Sequence, residues 1–195
     1  MSGRTTLGRA FQLRIAGPRH DRDQGNRIVH RPAKLRPAKN SDGPGLVRLI
    51  STIFADYANC HYVASEFPEL AAPASHYRAR GGALWVAEAD GDVIGSLAIA
   101  ATAEPGVFEL FKVYLARPAR RQGLARRLLE NAISLALTGG GRRLRLWTDT
   151  RFLEGHRFYE RTGFRRLPVV RAVPDASDTW EFAYVRDLAR PGGST

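Results

Sequence analysis

The sequence predicts an α/β domain built around a single mixed, mostly antiparallel sheet flanked by helices. Three features of the pattern predict it. Apolar residues recur at helical spacing between Leu46 and Phe54. Two strand-like runs are then joined by Asp90-Gly91, a hairpin turn sequence. The second half alternates strand with helix twice before closing on strands, an order that fits helices packed on one mixed sheet.

Taken in chain order, Ala33–Ala38 reads as a first strand and Asn40-Ser41-Asp42 as capping material for the helix that follows. That helix carries Leu46, Val47, Leu49, Ile50, Ile53 and Phe54. A second, short helix is expected at Ala72–Arg80, stopped by Gly81-Gly82. Leu84–Glu88 and Val93–Ala101 form the hairpin about Asp90-Gly91, and Val107–Leu115 is a further strand. A long helix runs from Gly123 to about Leu137 and ends at Gly139-Gly140-Gly141. Arg143–Thr148 is strand, Leu153–Thr162 helix ending at Gly163, and Phe164–Val170 with Thr179–Val185 are closing strands. Trp85 and Trp147 are expected in the core, whereas Trp180 sits in a closing strand with an exposed position open to it. No internal repeat is present.

A chain of 195 residues holds one ordinary domain with some excess at an end. No apolar run approaches the roughly 20 residues of a membrane-spanning helix, so no membrane partner is expected. Cys60 is the only cysteine, which removes a disulfide framework and cysteine-rich zinc sites. A reducing, cytoplasmic setting is the simplest reading. The net charge of +11 is unevenly spread: residues 1–40 hold ten Arg or Lys against Asp21 and Asp23 alone. The remaining 155 residues carry 20 basic and 17 acidic side chains. Basicity is therefore a property of the N-terminal stretch, and the body gives no reason to expect a nucleic-acid partner. Residues 1–31, punctuated by Gly17-Pro18 and Arg31-Pro32, are expected to be a disordered basic extension. A misplaced start codon is the preferred explanation over a surface-binding arm or an organellar targeting peptide, since no cleavage signal is visible. Residues 32–188 are expected to form the domain and 189–195 a flexible tail.

Chemistry concentrates between Val107 and Phe164. Arg120-Arg121-Gln122-Gly123-Leu124-Ala125 lies directly between a strand and an amphipathic helix whose apolar face is Leu124, Leu128, Leu129, Ala132, Ile133 and Ala136. A tight loop opening such a helix points unpaired backbone N–H groups at one spot, where the helix dipole also favours an anion. Gly123 allows close approach, Ala125 leaves room, and Arg120 and Arg121 add positive charge. The arrangement suits a pyrophosphate. It lacks the Gly-Lys-Ser/Thr ending of a Walker loop and the three spaced glycines of a dinucleotide fingerprint. Read alone, the hexapeptide fits a cationic helix cap equally well.

With its context, the segment resembles the coenzyme A-binding core of the GNAT acetyltransferase superfamily. Glu109–Leu115, the loop and the long helix follow in that family's order, and the loop matches its (Gln/Arg)-x-x-Gly-x-(Gly/Ala) signature at Arg120, Gly123 and Ala125. Arg157-Phe158-Tyr159-Glu160-Arg161-Thr162-Gly163-Phe164 is similar to its second signature, a helix bearing (Leu/Phe)-Tyr followed by Gly-Phe into the next strand. The resemblance spans about Ala33 to Val185. One departure stands out: where the family often has Asn and Ala, seven and four residues before the tyrosine, this chain has Phe152 and Gly155. No cofactor contact is carried over to those two positions.

The resemblance implies a GNAT-like acyl-CoA N-acyltransferase fold, acetyl-CoA as co-substrate without a metal, and direct transfer to an amine. It implies that strand Val107–Leu115 splays from Arg143–Thr148, with the pantetheine arm between them against backbone of Val113, Tyr114 and Leu115. The backbone N–H near Val113 would polarise the thioester carbonyl. The pyrophosphate would meet Arg120, Arg121, Gln122, Gly123, Leu124, Ala125 and Arg126. An amine of lysine type must lose a proton before attack, and Glu109 is the candidate base; an ordinary strand carboxylate is an equal alternative. Strand alternation places Glu109 on one face with Phe111, Val113 and Leu115 unless a bulge intervenes. Tyr159 is the candidate acid for the departing thiolate, with aromatic packing before Phe164 as its alternative.

Five histidines lack metal-ligand spacing, and His156 is expected to be a solvated helix residue. Tyr57, Cys60, Tyr62 and Glu66 fall in the connection that in this family often forms the acceptor pocket. Asp149 and Thr150 end a strand and are candidates to line the cleft. The competing class is a non-catalytic acyl-CoA-binding regulatory module, which needs the loop but neither Glu109 nor Tyr159. The family often dimerises, so a homodimer is compatible with the sequence. The acceptor amine is not named by it.

Overall fold

The computed structural model describes residues 33–188, and the expected basic extension and C-terminal tail lie outside the described residues. The chain runs β1 (Lys34–Pro37), α1 (Gly43–Phe54), α2 (Pro73–Ala79), β2 (Ala83–Ala89), β3 (Asp92–Ala101), β4 (Val107–Leu115), α3 (Leu124–Thr138), β5 (Arg143–Asp149), α4 (Leu153–Arg161), β6 (Arg165–Ala172) and β7 (Trp180–Asp187). Short 3-10 turns at Asn40–Asp42, Ala64–Glu66, Pro68–Ala71 and Arg117–Ala119 occupy connections without a helical period. The strands form one sheet in the order β1-β2-β3-β4-β5-β7-β6. Only β4 and β5 pair in parallel, so the sheet is mixed and mostly antiparallel, as the pattern predicts.

Local chemistry explains the punctuation. Asp90 and Gly91 both take positive φ, 51° and 86°, which is what a two-residue hairpin turn of the right twist requires. At the start of α1, Arg36 forks both Asp42 carboxylate oxygens at 2.8 and 2.9 Å, while the Lys39 N–H donates to the same carboxylate. The Arg36 guanidinium, through that hydrogen bond, holds the Asp42 carboxyl below its ordinary value.

β3 is covered on both sides, which is why Leu97, Ala98, Ile99 and Ala100 form an unbroken apolar run. Leu97 and Ile99 join the core beneath α3, with Leu110, Leu128, Leu129, Leu144, Leu146 and Tyr159. Ala98 and Ala100 face the opposite core with Leu46, Ile50, Leu70 and Tyr77. Two expected core residues are corrected. Trp85 is half-buried, because it borders an open depression at the C-terminal end of α3 with Leu135, Thr138 and Gly139. Trp147 is half-buried too, and its ring is covered by the Arg171 guanidinium at 4.0 Å. Trp180 is exposed.

The feature that shapes the site is an irregularity in β4. Ser96 faces Tyr114 while Ala98 faces Phe111, so β4 holds one residue more than β3 over this stretch. Lys112 takes φ 51°, and its carbonyl accepts a 2.7 Å hydrogen bond from the buried Ser96 hydroxyl. The extra residue resets the alternation: Val113 packs toward the α3 core, whereas Phe111 and Tyr114 both pack toward the α1 core. Pairing with β5 stops just ahead of it. The parallel ladder ends at Leu110 and Leu146, although β4 continues to Leu115 and β5 to Asp149.

Candidate active site

A gap therefore opens between the last residues of β4 and β5, with the bulge at its apex. Neither Lys112 nor Val113 has a register partner on a neighbouring strand among the described residues. The loop Arg120–Ala125 lies just past the end of β4. Arg121 and Gly123 both take positive φ, 62° and 76°, and Gly123 is the N-cap of α3. A Cβ at Gly123 would meet nothing within 4 Å, so the glycine is there for its backbone conformation. No side chain caps this helix, and its first helical bond runs from the Arg127 N–H to the Gly123 carbonyl. The N–H groups of Leu124, Ala125 and Arg126 precede that bond.

Individual side chains divide by role. Leu124 is buried and roots the loop, while Arg121, Gln122 and Arg126 are exposed. Gln122 folds its amide back to the Pro118 carbonyl at 2.9 Å, and Arg126 pairs with Glu130 at 3.3 Å. Arg120 is turned inward: its Nε donates to the Leu115 carbonyl at 3.2 Å and its guanidinium pairs with Glu154 on α4. It joins the loop to α4 across the outer end of the gap, where Tyr57 also lies close enough to feel both charges.

Tyr159 projects from α4 into the α3-side core, buried, with Thr148 of β5 hydrogen-bonded to its phenol. Burial pushes that phenol well above its ordinary value. Tyr114, half-buried on the other side of the gap, has its phenol raised for the same reason. Glu109 lies on the still-paired part of β4, opposite Arg145 in the ladder, and accepts from it at 2.6 Å. With the bulge between them, Glu109 and Val113 are placed on opposite faces, so the first-principles alternation gives way here.

Other residues land differently from expectation. His156 is buried, not solvated: Nε2 lies 2.9 Å from the Asp149 carbonyl oxygen and the ring stacks near Tyr184. The reason is that α4 lays this face on β5 and β7. Phe152, in place of the family's Asn, packs its ring on Tyr57 at 4.7 Å and Phe54 at 5.9 Å. At Gly155 an added Cβ would make only ordinary contacts with Phe152 and Tyr159. Asp149 is buried and committed to Arg151, and the Thr150 N–H donates to the Trp180 carbonyl.

Sequence reasoning missed three residues that the tertiary structure brings to the gap. Lys112 forms the bulge, pairs with Glu69 at 2.5 Å and sits 4.4 Å over the Phe67 ring. Glu154 holds Arg120. Arg151 ties Asp149 and Thr179 to the Asn59 carbonyl. Apart from the Asp149–Arg151 pair none has a local signal, since the other partners come from different stretches of chain. Among the described residues no group of three or more His, Cys, Asp or Glu is placed to hold a metal ion, and no helix is long and apolar enough to cross a membrane.

Comparison with known proteins agrees with this geometry. Residues 50–164 match the family model described as Acetyltransferase (GNAT) family. The uncharacterized N-acetyltransferase YjgM of Escherichia coli (strain K12) is 31% identical over 147 residues, which cover 73% of this chain and 87% of that protein. A GNAT-family acetyltransferase structure from Staphylococcus aureus Mu50 aligns with a TM-score of 0.71 at 20% identity, over 81% of this chain and 100% of that one. An acetyltransferase structure from Streptococcus agalactiae 2603 gives 0.68 at 24%, over 80% and 98%. At those identities the two structures speak for the fold. Family model and sequence relative together carry the assignment: the chain belongs to the GNAT family of acetyltransferases and is an acyltransferase.

Proposed function

We propose that the protein transfers the acetyl group of acetyl-CoA to a primary amine by direct attack, with no covalent enzyme intermediate. The observation that carries this reading is the gap beyond Leu110, with an unpaired bulge at its apex and an uncapped helix N-terminus at its outer end. Acetyl-CoA fits such a place in its chemistry. The N–H groups that open α3, with Arg121 nearby, suit a pyrophosphate. The strand edge Val113–Leu115, released from β5, offers backbone partners to a pantetheine amide.

When bound, acetyl-CoA supplies a thioester that is already reactive towards an amine, so the protein's task is positioning and proton handling. In this reading the Val113 N–H donates to the thioester oxygen, which gains charge as the amine attacks. Glu109 accepts the amine proton, directly or through a water, with Arg145 holding its carboxylate in place. Tyr159 Oη gives a proton to the departing sulfur. Its raised phenol keeps that proton on through the pH range in which an amine acceptor loses its own. Arg120 acts on the protein itself, bracing the loop against α4.

Thiol release from acetyl-CoA across a panel of amines tests the proposal, with longer acyl donors in parallel. Amine-dependent release of coenzyme A, with the acetylated amine as product, is the expected result. Binding of acetyl-CoA without transfer to any amine points instead to a non-catalytic binding module, and no binding at all removes the reading.

A further inference from the structure

One hydroxyl interrupts the apolar face that β3 turns towards α1. That face presents Ser96, Ala98 and Ala100, all buried, with Val86 of β2 and Tyr114 of β4 beside Ser96 in the sheet. Alanine serves at the other two positions, and a buried hydroxyl is costly unless it is hydrogen-bonded. The Ser96 hydroxyl donates to the Lys112 carbonyl at 2.7 Å, inside the bulge of β4.

Lys112 sits in the left-handed region at φ 51°, where a bulge of this kind ordinarily takes glycine. A side chain there is strained, so the bulge persists only if other contacts hold it. The carbonyl is held from β3 by Ser96. The ammonium is held from the connection after α1, by Glu69 and the face of the Phe67 ring. Only the first of these acts on the main chain. Strand geometry then sets the consequence for the gap. The Ala116 N–H donates to the Ile94 carbonyl of β3, so by alternation the amides of Leu115 and Val113 point the other way, into the gap. A slip to the regular register would turn both back towards β3.

We infer that Ser96 locks β4 in the bulged register and is a positioning residue for the transfer, acting through Lys112 to aim the Val113 N–H at the thioester oxygen. The inference rests on the acetyl-transfer reading above and adds to it a residue from a strand that does not border the gap. Ser96 is buried behind β4 and touches no substrate itself. Its hydroxyl matters to the reaction because an oxyanion donor stabilises charge only when it is held in place before that charge develops. With the hydroxyl gone, the Lys112 carbonyl loses its partner and the strained residue loses the contact that keeps its main chain turned.

The test reads thiol release from acetyl-CoA with an amine that the wild type uses, at a temperature where circular dichroism shows each variant folded. Ser96→Ala should lower kcat by about tenfold, less than the full loss of an oxyanion donor. The acetyl-CoA dissociation constant and the acceptor KM should move by less than about twofold. Ser96→Thr and Ser96→Val add nearly the same bulk and differ in the hydroxyl, so any cost of overpacking is common to both. They report even if the alanine variant fails to fold, and Ser96→Thr should turn over about tenfold faster than Ser96→Val. The isotope-edited infrared spectrum of bound acetyl-CoA gives a second readout. Its thioester carbonyl band, lowered in the wild type by the Val113 N–H, should return towards the free position in Ser96→Ala. Wild-type kcat in Ser96→Ala, or equal rates for the Thr and Val variants, overturns the inference and leaves acetyl transfer standing. A loss expressed only as a higher KM also overturns it. Absence of acetyl-CoA binding or of amine-dependent thiol release in the wild type instead removes the reading on which it rests.

Discussion

Burial sets the working state of single side chains in this site. The Tyr159 phenol is shut away from solvent against Thr148, and its proton is correspondingly hard to lose. Tyr159→Phe keeps the ring and its packing and deletes only the hydroxyl. It is expected to lower kcat by about 100-fold, within the usual range for general acid–base groups, with acetyl-CoA affinity retained. Steady-state rates beside a direct binding measurement check it, and equal kcat would return Tyr159 to a packing role. Cys60, buried in the connection after α1, is pushed up by that burial from 9.0 to about 11. The folded protein then binds this proton more tightly than the unfolded chain does. The stabilisation is complete below pH 9.0 and is lost as pH rises towards 11. Urea midpoints of the wild type should fall more steeply over that window than those of Cys60→Ala; parallel curves would contradict the assignment. The difference between the two proteins isolates the thiol from the buried tyrosines, which titrate in the same direction.

At the scale of elements, the loop and the bulge are opposite cases. The loop is legible in the sequence because a helix start, a glycine and clustered arginines are local properties of consecutive residues. Gly123 is held at φ 76° with open space around it, so Gly123→Ala meets no clash and pays only the backbone strain. That is about 1 kcal/mol, visible as a lower melting temperature, and acetyl-CoA affinity should fall with it. Gly123→Asn should lose less of both, since Asn visits the left-handed region more readily. Equal affinities for the wild type and Gly123→Ala would remove the loop's conformation from cofactor binding. The bulge, in contrast, sits in Phe111-Lys112-Val113 with no glycine or proline to mark it. Its extra residue is defined by the register of β3, and its carbonyl is satisfied by Ser96 from that strand. Strand alternation alone therefore predicted one face for Glu109 and Val113, and pairing with a distant strand reversed it.

For the whole molecule, every residue placed in the gap and the loop lies between Phe54 and Thr179. A chain starting at Ala33 is expected to bind acetyl-CoA and to melt as the full-length protein does, measured by calorimetry on both. A large loss in either would assign the first 32 residues a part in the site. Charge tells the same story, since the +11 total arises mainly before residue 41 and the body is close to balanced. Element order, the hairpin at Asp90-Gly91 and the long helix after the loop were all readable beforehand, because each depends on period or turn chemistry. His156 and the two tryptophans were not, since their exposure depends on which element covers them. Nor was the Arg151 fork, whose partners Asn59, Ser177 and Thr179 are remote in sequence. The sequence by itself determined the family, the sheet-and-helix order and the glycine-bearing loop that opens α3, because those rest on neighbouring residues and their spacing. Only the tertiary structure decided where β4 leaves β5, which face Val113 takes and what Arg151 joins, because strand register and side-chain forks connect segments that no local pattern links.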